Sequence, residues 1–166
     1  MTKQELTTLF AYDEWAMERT LTVVSALSPD HYKKDLGTSH GSIHATLVHA
    51  VAASRMWLDR LRGNADSAML KESDVAGLAE LRALRKAWRA DMEAYLEAAT
   101  DAALQEPFSH TTSKGVTYTY PRGQLLQHLV NHTTYHRGQV VAMLRQMNAK
   151  PVNCDFIYYL RTLQDQ

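Results

Sequence analysis

The strongest constraint on this chain is a period: apolar residues recur at helical spacing over four long stretches, and the Gly, Pro and Asn clusters fall between them. Thr2 followed by Glu5 has the spacing of a capping box, and after it Leu6, Phe10, Met17, Leu21 and Val24 share one side of a helix that ends before Pro29. A second helix starts near Ser42, runs through ATLVHAVAASRMWLDRL and stops at Gly63. A third carries Leu81, Leu84, Trp88, Met92 and Tyr95 on one face and frays before Pro107. In FSHTTSKGVTYTY, β-branched and aromatic residues flank Ser113, Lys114 and Gly115, which predicts a short hairpin or an extended loop. Pro121 suits the first position of a fourth long helix reaching to about Met147, and Asn153 is placed to cap a short closing helix through FIYYLRTL. The predicted fold is all-α: a four-helix bundle with a hairpin or extended loop before the fourth long helix and a short C-terminal helix.

A chain of 166 residues, 45% of them hydrophobic, supports one core, so residues 1–166 are read as a single domain. Lysine plus arginine balance aspartate plus glutamate at 18 each, and without a net positive field the chain is not expected to gather nucleic acid or anionic lipid. The opening MTKQELTTLF lacks the pattern of a secretory signal, and no apolar run approaches the roughly 18 residues of a membrane span. A cytoplasmic protein is expected. Its one cysteine, Cys154, excludes a disulfide within the chain, and nothing beside it supplies the base that a thiol nucleophile needs.

Chemistry concentrates in HLVNHTTYHRGQV, residues 128–140, which repeats histidine at every fourth position. At about 100° per residue, His132 and His136 fall inside the apolar stripe of Leu125, Leu129, Val140 and Met143, and His128 lies at its edge. On the second helix His49 points inward, whereas His44 falls among Arg55, Asp59 and Arg62 and is assigned to solvent. His31, His40 and His110 read as loop or surface and receive no role. An i,i+4 pair of imidazoles can grip one divalent ion, and His49 from another helix would complete a facial set of three neutral ligands. Such a set leaves coordination positions open, as a catalytic centre requires. Each of these histidines also has a plainer reading, a buried ring bonded to a backbone carbonyl.

Asp13 lies in the middle of the first helix's apolar stripe and needs a partner there. It serves either as an outer acceptor for an imidazole N–H or in a buried bond to an amide or tyrosine. Arg137 points off the histidine stripe and is read as an anchor to another element. Gly138 implies close approach of another group. The basic run Arg82, Arg85, Lys86 and Arg89 is diluted by Glu80, Asp91, Glu93 and Glu97 and reads as a solvated face.

NHTTYHRGQV, preceded by HLV and followed by VAMLRQM, resembles the signature of the DinB/YfiT-like family of metal-binding four-helix bundles. AYDEWAMERTL resembles that family's first helix, GSIHATLVHAVAASRMWLDRLRG its second, and CDFIYYLR its usual ending. By this resemblance His49, His132 and His136 correspond to the metal ligands. The family includes metal-dependent transferases of low-molecular-weight thiols and a thiol-dependent isomerase, and its members often pair as homodimers. The resemblance therefore implies one divalent ion, zinc or nickel, a small-molecule thiol as partner, and a homodimer. The favoured reading is a metal-dependent enzyme that transfers a small thiol to an electrophile, with His128 as proton shuttle or outer support. A metal-dependent hydrolase and a non-enzymatic dimer braced by its ion are the two alternatives.

Overall fold

A computed structural model describes residues 1–112 and 114–164. Four long helices, α1 (Lys3–Val24), α3 (Ile43–Leu61), α4 (Leu78–Ala98) and α6 (Arg122–Gln146), form the body of the molecule. Between and after them come α2 (Pro29–Lys33), a 3-10 turn at Glu72–Asp74, α5 (Asp101–Gln105), strands β1 (Pro107–Thr111) and β2 (Thr117–Pro121), and α7 (Phe156–Thr162). No helix among the described residues is long and apolar enough to cross a membrane.

Local chemistry accounts for the starts and stops. Thr2 Oγ1 accepts the Glu5 N–H at 3.2 Å while Glu5 Oε2 accepts the Thr2 N–H at 2.8 Å, closing the capping box that begins α1. Ser42 Oγ accepts the Ala45 N–H at 3.0 Å to begin α3. Gly63, at φ 99, supplies the left-handed residue just past its end. The hairpin forms with Phe108 opposite Tyr120 and His110 opposite Tyr118. Paired hydroxyls tie it across the strands, Ser109 to Thr119 at 2.7 Å and Thr111 to Thr117 at 2.9 Å. Of the turn predicted at Ser113, Lys114 and Gly115, Ser113 lies outside the described residues.

Three details differ from expectation. Pro121 closes β2 opposite Pro107, and α6 begins one residue later. Asn153 does not cap α7; its Oδ1 accepts the Asp155 N–H at 2.9 Å and shapes the turn before the helix. At Gly138 a Cβ would meet no atom within 4 Å, so no close approach explains the residue, whereas at Gly123 it would stand 3.2 Å from the Leu104 carbonyl oxygen. The tight helix contact is therefore made by the glycine at the start of α6.

The interior is divided. One apolar cluster gathers Met17, Leu21, Ile43, Leu47, Leu81, Val140 and Met143; another gathers Leu6, Leu58, Trp88, Met92, Leu126 and Leu129. On α1, α4 and α6 the residues between the two clusters are polar and buried: Asp13, Arg85, Thr133, His136 and Arg137. A polar layer thus crosses the bundle, and it positions the site. A third cluster seats Tyr159 of α7 against Tyr12 and Ala16 of α1.

Candidate metal centre

Two columns of α6 side chains, one residue apart in sequence, define the layer. Thr133 and Arg137 both donate to Oδ1 of Asp13 on α1, and Arg85 of α4 donates to Oδ2 at 2.6 Å. Burial alone would raise the Asp13 pKa, but Arg85 and Arg137, with the Thr133 hydroxyl, hold it below the usual carboxylate range. Asp13 is therefore the buried counter-ion of two guanidinium groups, and its oxygens are taken by them and by Thr133 rather than by an imidazole. Arg137 is the anchor that its position on the helix implied. Arg85 departs from the reading of its run as a solvated face, because it is 2% exposed and lies over the Trp88 ring at 4.5 Å, whereas Arg82, Lys86 and Arg89 reach solvent.

With that column tied to α1, the neighbouring column of His132 and His136, about 100° around the helix, faces α3. The two Nε2 atoms are 3.2 Å apart. Two nitrogens each bound to one ion at zinc–imidazole distance and tetrahedral angle stand about 3.3 Å apart, so the pair already has the bite of a chelate. The His49 ring lies 5.2 Å from that of His132 and 4.7 Å from that of His136. Gln139, one turn on, places Oε1 2.8 Å from His136 Nδ1. With Oε1 accepting, the hydrogen sits on Nδ1 and the Nε2 lone pair is free for a cation.

A fourth imidazole enters from the loop before α3. Among the described residues, nitrogens of His40, His49 and His136 lie within 4.8 Å of one another, a group that can hold a metal ion. The His40 ring stacks on His49 with centroids 4.1 Å apart and planes at 25°. Its loop is fixed locally: the Leu36 N–H donates to the Gly41 carbonyl at 2.8 Å, and Gly41, at φ 77, is a position where a side chain is strained. Helical spacing carries no information about a loop residue, which is why His40 read as surface. His44, assigned to solvent, is 1% exposed and packs edge to face on Tyr32 at 5.0 Å. The short α2 and the 3-10 turn cover that side of α3, and neither was predicted.

Burial, reinforced by neighbouring imidazoles, pushes both His49 and His132 down to about 4. His136 is also lowered by burial, against the opposing bond to Gln139. All three are neutral near pH 7, as metal ligation requires. In the metal-free protein the consequence for stability has a definite direction. Below the ordinary imidazole value of 6.5 the unfolded chain takes up protons that folded His49 and His132 refuse until about 4. Stability is therefore expected to fall as pH is lowered through that window. Urea titrations at about pH 7 and about pH 4.5 should give a lower midpoint in acid; equal midpoints would mean that these rings are freely hydrated.

His128 lies outside the cluster, 5.7 Å ring to ring from His132 and 6.4 Å from Trp57. It opens onto a cavity of about 460 Å³ walled by Trp57, His110, Tyr118, Tyr120 and Leu125. His110, assigned to loop or surface, stands in β1 and packs edge to face on Trp57 at 4.7 Å.

Known proteins resemble the chain along nearly its whole length. Protein DinB of Bacillus subtilis (strain 168) is 28% identical over 160 residues, covering 92% of this chain and 91% of that protein. YizA of the same organism is 25% identical over 148 residues, covering 89% of this chain and 91% of its own length. A crystal structure of a DinB-like protein from Bacillus cereus ATCC 10987 shares the fold, with a TM-score of 0.64 at 18% identity over 92% of this chain and 97% of that one. The DinB family profile matches residues 1–166, taking in the helices that carry the histidines, the hairpin between them and the closing helix, and the chain belongs to the DinB family.

Proposed function

We propose that the protein is a metal-dependent enzyme that transfers a small thiol to an electrophilic substrate, with one divalent ion, zinc or nickel, held by His49, His132 and His136. The observation that carries this reading is the meeting of neutral imidazoles from two helices, with His128, one turn before His132, lining an aromatic-walled cavity. A divalent ion bound there lowers the pKa of a thiol and makes the thiolate available near neutrality.

The protein's own residues supply the rest. Gln139 holds His136 in the tautomer that presents Nε2. Trp57, Leu125, Tyr118 and Tyr120 take up the apolar body of a small substrate and shed water from it. His128 lines the same cavity and carries the thiol proton out to solvent. A small-molecule thiol is the proposed partner, and a homodimer the proposed assembly.

Protein purified without a histidine tag, stripped of metal and reloaded with zinc or nickel, is expected to consume a small thiol when an alkyl halide or epoxide is supplied. His128→Ala should lower turnover by about 10²-fold or more with metal content unchanged. Hydrolysis without thiol consumption would replace transferase by hydrolase. A bundle that unfolds when stripped would assign the ion to bracing the fold.

A further inference from the structure

The centre holds more imidazole than a three-ligand site uses. His132 and His136 come from α6 and His49 from α3, and His40 adds a ring that lies on His49 and stands 5.2 Å from His136. The three histidines whose nitrogens all lie within 4.8 Å of one another include His40 and not His132, whereas the Nε2 atoms of His132 and His136 stand 3.2 Å apart. His49 and His136 serve either triad, and His40 and His132 are the two candidates for a third place. Four imidazoles around one tetrahedral ion make a closed site of structural type, whereas turnover needs a vacant position.

The four donors are not held alike. Three stand on helices of 19 and 25 residues, and His136 is further fixed by Gln139. His40 rides on a loop outside these helices, and that loop is stabilised mostly by its own hydrogen bonds: Gly37 N–H to Asp35 Oδ1 at 2.9 Å, Gly41 N–H to the Thr38 carbonyl at 2.9 Å, and Ser42 N–H to the His40 carbonyl at 2.9 Å. Its ties to the core are Leu36, packed on the first apolar cluster, and the Thr38 hydroxyl on Met143 Sδ at 3.7 Å, so the tip at residues 39–41 can shift while the helical core keeps its packing. A histidine on a packed helix can withdraw only by changing its own rotamer, because its backbone is held.

We propose that His40 is a fourth ligand to the same ion, closing the centre at rest, and that it is the ligand withdrawn when an exogenous donor binds. The inference rests on the metal reading given above and adds to it a gate built from a loop residue.

Cobalt(II) is a suitable probe because its visible absorption follows changes in its ligands. Untagged wild-type protein loaded with cobalt is expected to respond to azide only at high concentration, since azide must displace an imidazole. In His40→Ala the same spectral change should appear at roughly tenfold lower azide or less, and affinity for cobalt, read by competition with a chelator, should fall about tenfold or more, within the range seen when ligand support is lost. His132→Ala should still take up cobalt through His40, His49 and His136, and the double variant His40→Ala with His132→Ala should not. Circular dichroism reports folding, and His40→Gln gives the same readings if the alanine variant fails to fold. Wild-type azide response in His40→Ala, or equal cobalt uptake by the single His132 and the double variant, overturns the proposal while leaving a three-histidine centre in place. Failure of the wild type to bind cobalt, zinc or nickel overturns both.

Discussion

Replacing Asp13 with alanine is expected to destabilise the protein by about 3–5 kcal/mol, the usual consequence of removing one partner from a buried ion group. The charges of Arg85 and Arg137 would remain in a layer where both residues are 2% exposed, and among the described residues the remaining carboxylate beside them is Glu14, 3.1 Å from Arg85 and at the edge of the layer. For a chain of this size each kcal/mol corresponds to roughly 2–4 °C, so melting should drop by about 6–20 °C. Asp13→Asn keeps the shape and separates loss of charge from loss of packing. A drop under about 1 kcal/mol would show that water reaches the guanidinium groups and that the layer is not closed. The same substitution should weaken metal binding, because Asp13 sets the rotation of α6 through Thr133 and Arg137, the residues that follow His132 and His136.

The second large effect is expected at His136, which belongs to both groupings of the cluster. His136→Ala should lower zinc or nickel affinity by more than the roughly 10–100-fold expected of Gln139→Ala, which removes only an outer hydrogen bond. Chelator competition on untagged protein measures both. The ring meets the imidazoles of His40, His49 and His132 but is itself only 4% exposed. The metal-free variant should therefore also melt somewhat below the wild type, and melting of stripped protein separates that loss from the loss of affinity. Retained affinity in His136→Ala would remove the basis for a metal function.

Much of the architecture could be read before any coordinates. Thr2 with Glu5, Ser42 and Gly63 mark helix ends by side-chain and backbone chemistry local to each position, and the stripes of α1, α3, α4 and α6 follow from period alone. The same period turned His49, His132 and His136 toward a common space and Arg137 away from it. What escaped has a common cause, since a helical wheel gives direction but not what lies in that direction. His44 was rotated correctly relative to its neighbours, yet α2 and the 3-10 turn cover it. Arg85 sits in a charged run and is buried because Asp13 of a remote helix awaits it. His40, outside any helix, had no period to reveal it. Gln139 was within reach, being three residues beyond His136, a spacing that brings side chains together on a helix.

The paired columns of α6 restrict how this chain can change length. His132 and Thr133, like His136 and Arg137, are successive residues serving different neighbours, so adding or deleting one residue between them would swing the following turn by about 100°. Deleting one residue between 132 and 136 would turn the Arg137 guanidinium toward the imidazole of His49, and inserting one there would offer His136 to Asp13. Around α6, changes of length are therefore expected to be tolerated in the hairpin before it and in the connection after Met147, and the stretch from 132 to 137 behaves as a gauge block whose length is fixed by two partners at once.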